Sequence, residues 1–295
     1  MSASLESSLR ERVDRIESTP AIPAVFLPLL NLLQSQSSAS LDEVARLVAY
    51  DHAIAAQCLR VASSPLFGLA KAPESIRAAV VMLGLRRVET ILLTCCLGNA
   101  FSTRDWPIDA KTFWTHSLGC AMASRRFSAK LACCDSDKAY LAGLLHDIGF
   151  MVNCIVFPDE TSVAVNLAHE RQIPLHQAEV ATMGFTHSAS GKALAEKWHI
   201  ADDIVQVIAC HHLIEDGRSS SPLVALVHLI DLLCRMRNLG YGYYESHGVD
   251  LQGDPAWATL VAENKNFDEL DIERFTFEMD DSLAEIHQLV NIIFA

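Results

Sequence analysis

Apolar residues recur at three- and four-residue spacing along almost the whole chain, and this period predicts helices. Leu9, Val13 and Ile16 share one face of a helix over residues 5–16. Thr19-Pro-Ala-Ile-Pro23 then breaks the chain, because proline disfavours helix at the residue before it. Further helices are expected over about 24–34, 51–62, 75–83 and 86–100. Another starts at Ser40, where Glu43 completes a capping box and Leu41, Val44, Ala45 and Val48 face inward. Beyond Trp106-Pro107 the period predicts helices at about 110–133, 136–153, 160–171, 175–184, 188–198 and 201–211. Pro222 opens one reaching about 238, and the acidic tail ends in a helix over 281–293. No stretch alternates as a half-buried strand would, so the expected class is all-α, a multi-helix bundle.

The best internal boundary is the stretch 102–109. It suggests an N-terminal helical lobe over 1–108, a second helical lobe over 109–238, and a loop with a helical extension over 239–295. A chain of 295 residues with 51% hydrophobic and 20% charged residues has enough apolar material for a sizeable core. The net charge of −13, without any Lys/Arg tract, argues against direct nucleic-acid binding and favours protein partners or a small ligand. Nine cysteines without a CxxC read as reduced, buried thiols, and Cys95, Cys96, Cys120 and Cys210 fall on apolar helical faces. The N-terminus lacks the apolar run of a signal peptide, and residues 78–85 and 91–97 are too short to span a bilayer. A cytoplasmic location with no membrane association is therefore expected.

The stretch AYLAGLLHDIGFMV (139–152) changes the picture, because it sets Asp147 inside an apolar helix. A buried carboxylate is costly unless it is paired, and the adjacent His146 offers an imidazole that, with it, suits a first-row transition metal. The wider chain adds His116 in FWTHSLGCAMA, His187 in THSASGKALAEKW, His211–His212 after an apolar helix, and Asp231 in LVALVHLIDLLC. Five imidazoles and two carboxylates from separate helices can supply one or two octahedral sites. His228, three positions before Asp231, is a candidate to support a ligand. His169, His176, His199, His247 and His287 lie in polar surroundings and read as surface residues. Ser64 and Ser188 lack a nucleophile setting.

The order His, His-Asp, Asp resembles the signature of the HD superfamily of metal-dependent phosphohydrolases. The resemblance implies His116, His146, Asp147 and Asp231 as metal ligands, with His187, His211 and His212 similar to the extra ligands of the HD-GYP cyclic di-GMP phosphodiesterases. The wider pattern is similar, over about 20–231, to the HDOD family, the HD-related output domain of bacterial signalling proteins. Pro20-Ala-Ile-Pro23, SLDEVARLVAYDHAIAAQCLRVASSPLFG, residues 75–87, TFWTHS, YLAGLLHDIG, the stretch 187–198 and IACHH carry that likeness. The chain also departs from it. His52 replaces a proline, and Ala62-Ser63-Ser64 stands where an Asn-Ser pair is common. Phe150 stands where active HD-GYP enzymes carry a lysine, no GYP follows His211–His212, and Thr112 offers no carboxylate. Gly240-Tyr241-Gly242 reads as a coincidence.

Two functions follow as expectations. The resemblance implies first a signalling module whose HD-type pocket binds a divalent ion (iron, manganese, nickel or zinc) or a small or nucleotide ligand. The N-terminal lobe would shape that pocket and relay its state to a signalling partner, with homodimerisation through the C-terminal extension also in view. The second is a phosphohydrolase or phosphodiesterase in which two ions bridged by Asp147 activate water. The missing lysine weighs against catalysis.

Overall fold

The structure is a computed structural model. It describes residues 9, 11, 13, 25–34, 41–48, 51–100, 106–214, 221–241, 250–263 and 272–293, the last element's side chains only from 283. Among these residues the fold is all-α, with no strand. The expected cap at Ser40, the Pro20–Pro23 entry, Gly242 and His247 lie outside the described residues.

The chain forms two compact units: Met1–Ile16 with Arg104–Ala284, and Glu17–Thr103 with Glu285–Ala295. The second unit contains α1 (Phe26–Gln34), α2 (Leu41–Val48), α3 (His52–Ala62), a 3₁₀ turn (Pro65–Phe67), α4 (Ile76–Leu83) and α5 (Leu85–Ala100). Asp51 and Ser75 cap α3 and α4 by accepting from the Ile54 and Ala78 amides, at 3.1 and 3.0 Å. Gly84, at φ +88°, lets the chain turn between α4 and α5. α1, α3 and α4 pack on α5, burying Leu29, Leu30, Ile54, Leu92 and Leu93. The buried Gln57 donates from Nε2 to the Ile293 carbonyl at 2.6 Å.

The first unit contains α6 (Ala110–Leu131), α7 (Ser136–Leu145), α8 (Ile148–Val156), α9 (Pro158–Arg171), α10 (Leu175–Met183) and α11 (His187–Lys197). It continues with α12 (Asp202–Cys210), α13 (Pro222–Met236) and α14 (Pro255–Glu263), and α15 (Ile272–Ile293) runs through its end. Asp109, Asp135 and Ser221 cap α6, α7 and α13 through the Thr112, Lys138 and Val224 amides. The tail thus holds a helix, α14, that the periodicity did not predict, and its last helix begins nine residues before the expected 281. Leu9 and Val13 are helical and buried, as their spacing predicts.

The expected continuous helix over 136–153 is in fact two helices, α7 and α8, parted at His146–Asp147. His146 turns its Nδ1 onto the Gly143 carbonyl at 2.8 Å, and Asp147 takes φ −100° and ψ 12°, the sparsely populated bridge region. The stretch Ser136–Val156 is long and apolar enough to cross a membrane, but 89% of its apolar window is buried inside the fold. It is core.

Two glycines hold the first unit's helices close. A Cβ on Gly149 of α8 would sit 1.8 Å from the His187 carbonyl and 2.5 Å from the Gly191 amide of α11. A Cβ on Gly143 of α7 would sit 2.7 Å from the Cys120 carbonyl of α6. Hydrogen is the only side chain that fits at either crossing, and both crossings flank the His-Asp turn.

Candidate metal centre

The turn between α7 and α8 delivers His146 and Asp147 to the middle of the first unit, where α6, α11, α12 and α13 converge. All seven expected residues meet there: His116 from α6, His187 at the start of α11, His211 and His212 just past α12, and Asp231 from α13. The donors form two groups, each with all its ligand atoms within 4.8 Å of one another. One holds His116, Cys120, His146 and Asp231; the other holds Asp147, His187, His211 and His212.

In the first group His116 Nε2 lies 3.3 Å from His146 Nε2 and 3.1 Å from Asp231 Oδ1. In the second, Asp147 Oδ1 lies 3.3 Å from His187 Nε2 and 3.1 Å from His211 Nε2, and His187 Nε2 lies 3.0 Å from His212 Nε2. Asp147 serves both groups, because its other oxygen, Oδ2, is 2.9 Å from His146 Nε2 and 3.3 Å from His116 Nε2. Nitrogen and oxygen donors on one ion, at bond lengths of about 2.0–2.2 Å, are about 2.8–3.1 Å apart when cis on an octahedron and about 3.3–3.6 Å apart on a tetrahedron. The observed 2.9–3.3 Å run from the octahedral spacing to the lower edge of the tetrahedral one.

The outward ring nitrogens fix which atom faces the centre. His116 Nδ1 meets the Leu239 carbonyl at 2.9 Å, and His211 Nδ1 meets the Val207 and Ile208 carbonyls at 3.1 Å each. His187 Nδ1 meets Glu179 Oε2 at 2.7 Å, and that carboxylate also accepts from the His187 amide at 2.8 Å and from Asn153 Nδ2 at 3.2 Å. A carbonyl or carboxylate on Nδ1 holds its proton there, which leaves Nε2 as a lone pair aimed inward. His146 Nδ1 meets the Gly143 carbonyl in the same way, so His116 and His146 would face each other with two bare lone pairs at 3.3 Å, which repel unless a cation lies between them.

The electrostatics agree with that demand. Burial alone would lower His116, His146 and His187, yet hydrogen bonds and charge from Asp147, Asp231 and Glu179 raise them to about 9, 10 and 10. Burial would raise Asp147 and Asp231, but the surrounding imidazoles, and Arg235 beside Asp231, hold both well below the usual carboxylate range. Burial drives His211 and His212 down, helped by neighbouring imidazoles. A cluster that draws protons onto three rings when only side chains are present is also suited to a metal cation in their place.

Several residues here were not expected. Cys120, assigned to an apolar core, lies 3.6 Å through Sγ from His116 Nε2. Arg235 donates through Nε to Asp231 Oδ1 at 2.6 Å and lies with its guanidinium carbon 5.8 Å from the Tyr241 ring centre. Tyr241, dismissed with its GYG, donates its hydroxyl to Asp147 Oδ2. His176 is half-buried, its ring stacked on His212 at 4.8 Å, so it is no free surface histidine. His169, His199 and His287 are exposed as expected. His228 supports the site as anticipated: its Nδ1 donates to the His211 carbonyl and its Nε2 faces Asp254 Oδ2 at 3.2 Å. Phe150, in the place of the enzymes' lysine, is fully buried and packs with Phe113 and Tyr241 at ring distances of 5.9 and 5.1 Å.

An all-helical unit with a buried His-Asp turn at its centre is the architecture of an HD-type pocket. The HDOD domain model matches residues 19–214, and the chain belongs to the HDOD family. A crystal structure of an HDOD domain protein of unknown function from Geobacter sulfurreducens is 30% identical, covers 97% of this chain and 98% of its own, and superposes with a TM-score of 0.82. A Marinobacter aquaeolei protein, provisionally named a signal transduction protein, shares the fold at 22% identity and TM-score 0.77, over 99% of this chain and 65% of its own. An uncharacterised protein of Treponema pallidum is 25% identical over 228 residues, 75% of this chain. This chain spans 43% of that relative's length.

Proposed function

We propose that the protein is a cytoplasmic bacterial signalling protein that holds one or two divalent transition ions in its HD-type pocket. The pocket's occupancy would be relayed to a protein partner. The observation that supports this reading most is the enclosure of an intact donor set. His116, His146, Asp147, His187, His211 and Asp231 are each 0–1% exposed, while His212 and Arg235, at 12% and 11% of their side chains, reach the surface. Enclosed donors favour a held ion over a substrate that must enter and leave. The buried Phe150 leaves no lysine to meet a phosphoester. Imidazole and carboxylate donors suit iron, manganese, nickel or zinc. The nine free thiols fit a reducing compartment. A small or nucleotide ligand binding at the exposed edge that His212 and Arg235 form would act on the pocket from outside, homodimerisation is a further route for relay, and the acidic chain gives no reason to expect nucleic-acid binding.

One observation favours hydrolysis as the second reading: Asp147 reaches the two donor groups with different oxygens, as a bridging carboxylate does in two-ion phosphoester cleavage. In that case Asp147 is the residue on which turnover depends. Metal analysis of protein purified without a His tag tests both readings, since each expects at least about one equivalent bound. Protein that contains no metal and takes up no manganese, iron, nickel or zinc refutes both. Turnover of bis-p-nitrophenyl phosphate or a cyclic dinucleotide, lost in a folded Asp147→Ala, selects the enzyme. Metal-loaded protein inert on a broad phosphoester panel selects the signalling module.

A further inference from the structure

The first donor group contains an atom that the His-Asp pattern does not supply. Cys120 lies four residues after His116, so both side chains leave the same face of α6 one turn apart. Its Sγ is 3.6 Å from His116 Nε2, and the residue is fully buried. Sulfur and nitrogen donors sharing a tetrahedral ion, with bonds of about 2.3 and 2.0–2.1 Å, are separated by about 3.6 Å. The approach of α7 makes this meeting possible, since Gly143 has no Cβ to meet the Cys120 carbonyl and His146 follows three residues later. The Cys234 sulfur, three residues after Asp231 on α13, accepts from the Cys120 thiol within the same core.

Resting on the metal reading above, we propose that Cys120 is a thiolate ligand, giving the first group two imidazoles, one carboxylate and one sulfur. The second group, with three imidazoles and a carboxylate, has no sulfur donor among its members. The two groups therefore differ in softness. Thiolate favours zinc, iron(II) or cobalt(II) over manganese or magnesium, so the first group selects the softer ion. Binding releases the thiol proton to solvent, because a coordinated thiol is held as thiolate.

Cobalt(II) titration of the metal-free 295-residue chain tests this. Visible d–d bands report uptake by any donors, and a near-ultraviolet thiolate-to-cobalt charge-transfer band reports sulfur. The expected result is both bands in the unsubstituted chain, both kept in Cys234→Ser, and the charge-transfer band lost in Cys120→Ser with the d–d bands remaining. A charge-transfer band that is missing beside strong d–d bands, survives Cys120→Ser, or vanishes in Cys234→Ser overturns the sulfur ligand and leaves the metal reading intact. No uptake at all overturns both. Should Cys120→Ser fail to fold, X-ray absorption of the unsubstituted chain with one equivalent of zinc decides. Sulfur at about 2.3 Å supports the proposal, and nitrogen and oxygen alone at about 2.0–2.2 Å overturn it.

Discussion

In the second unit Ile54, Val61, Leu92 and Leu93 are buried in one core with Cys58, Cys95 and Cys96, whose thiols behave as small apolar groups. In the first unit the same kind of helices enclose four buried imidazoles and the three carboxylates of Asp147, Glu179 and Asp231. The sequence period is alike in both, but the cores depend on different physics. The second is held by removing apolar area from water, at about 25 cal/mol per Å². The first adds a polar network that must be electrically satisfied, since a buried charge that loses its partner costs about 3–5 kcal/mol. The second unit's stability should therefore be indifferent to divalent ions, and the first unit's should not.

The largest expected effect probes geometry. Gly149→Ala forces a methyl into the His187 backbone and should cost at least about 4 kcal/mol in urea unfolding, or prevent folding altogether. Gly84→Ala in the second unit meets open space and only a strained φ, so about 1–3 kcal/mol is expected. Equal costs would break the contrast.

Metal addition comes next. An ion at 100 times its dissociation constant should stabilise the first unit by about 2.7 kcal/mol, and a chelator should reverse this. Hydrogen exchange that slows in the α6–α8 core but not in α3–α5 is the confirming pattern, and uniform slowing is the contrary one. Glu179→Gln, which removes the charge behind His187 Nδ1, should weaken metal affinity about 10–100-fold in a competition titration. An unchanged affinity would show that the second group does not bind the ion.

Tyr241→Phe deletes the hydroxyl that donates to Asp147 and should cost about 1.5 kcal/mol of stability. The smallest effect is in the second unit. Burial raises the Cys58 and Cys96 thiols to about 12, so at pH 8 roughly one in ten thousand is thiolate. Iodoacetamide should leave both unmodified in native protein by mass spectrometry, with labelling rising as pH rises or the chain unfolds. Rapid native labelling would show that this core opens.

The helices and the seven expected donors were legible because each carries a local signal, either the 3.6-residue period or a polar residue inside it. The break at His146–Asp147 was not, since 139–152 is apolar on both sides and contains no proline. The turn depends on a side chain taking a backbone carbonyl, which no period records. Cys120 and Arg235 each lie four residues from a named donor, His116 and Asp231, so helical spacing could have nominated them. Glu179 lies in a helix of mixed polarity, and its contact with His187 exists only after α10 folds back. Tyr241 follows α13 in an irregular segment, where nothing local points it at Asp147.

The two oxygens of Asp147 face different donor groups, yet they share a single negative charge. An ion arriving on one side alters what that carboxylate can offer on the other. The two occupancies are then thermodynamically linked, and whatever factor the first ion imposes on the second, the second imposes on the first. A pocket built this way would report on the two ions jointly, and its response to rising metal would be steeper or shallower than that of two independent sites.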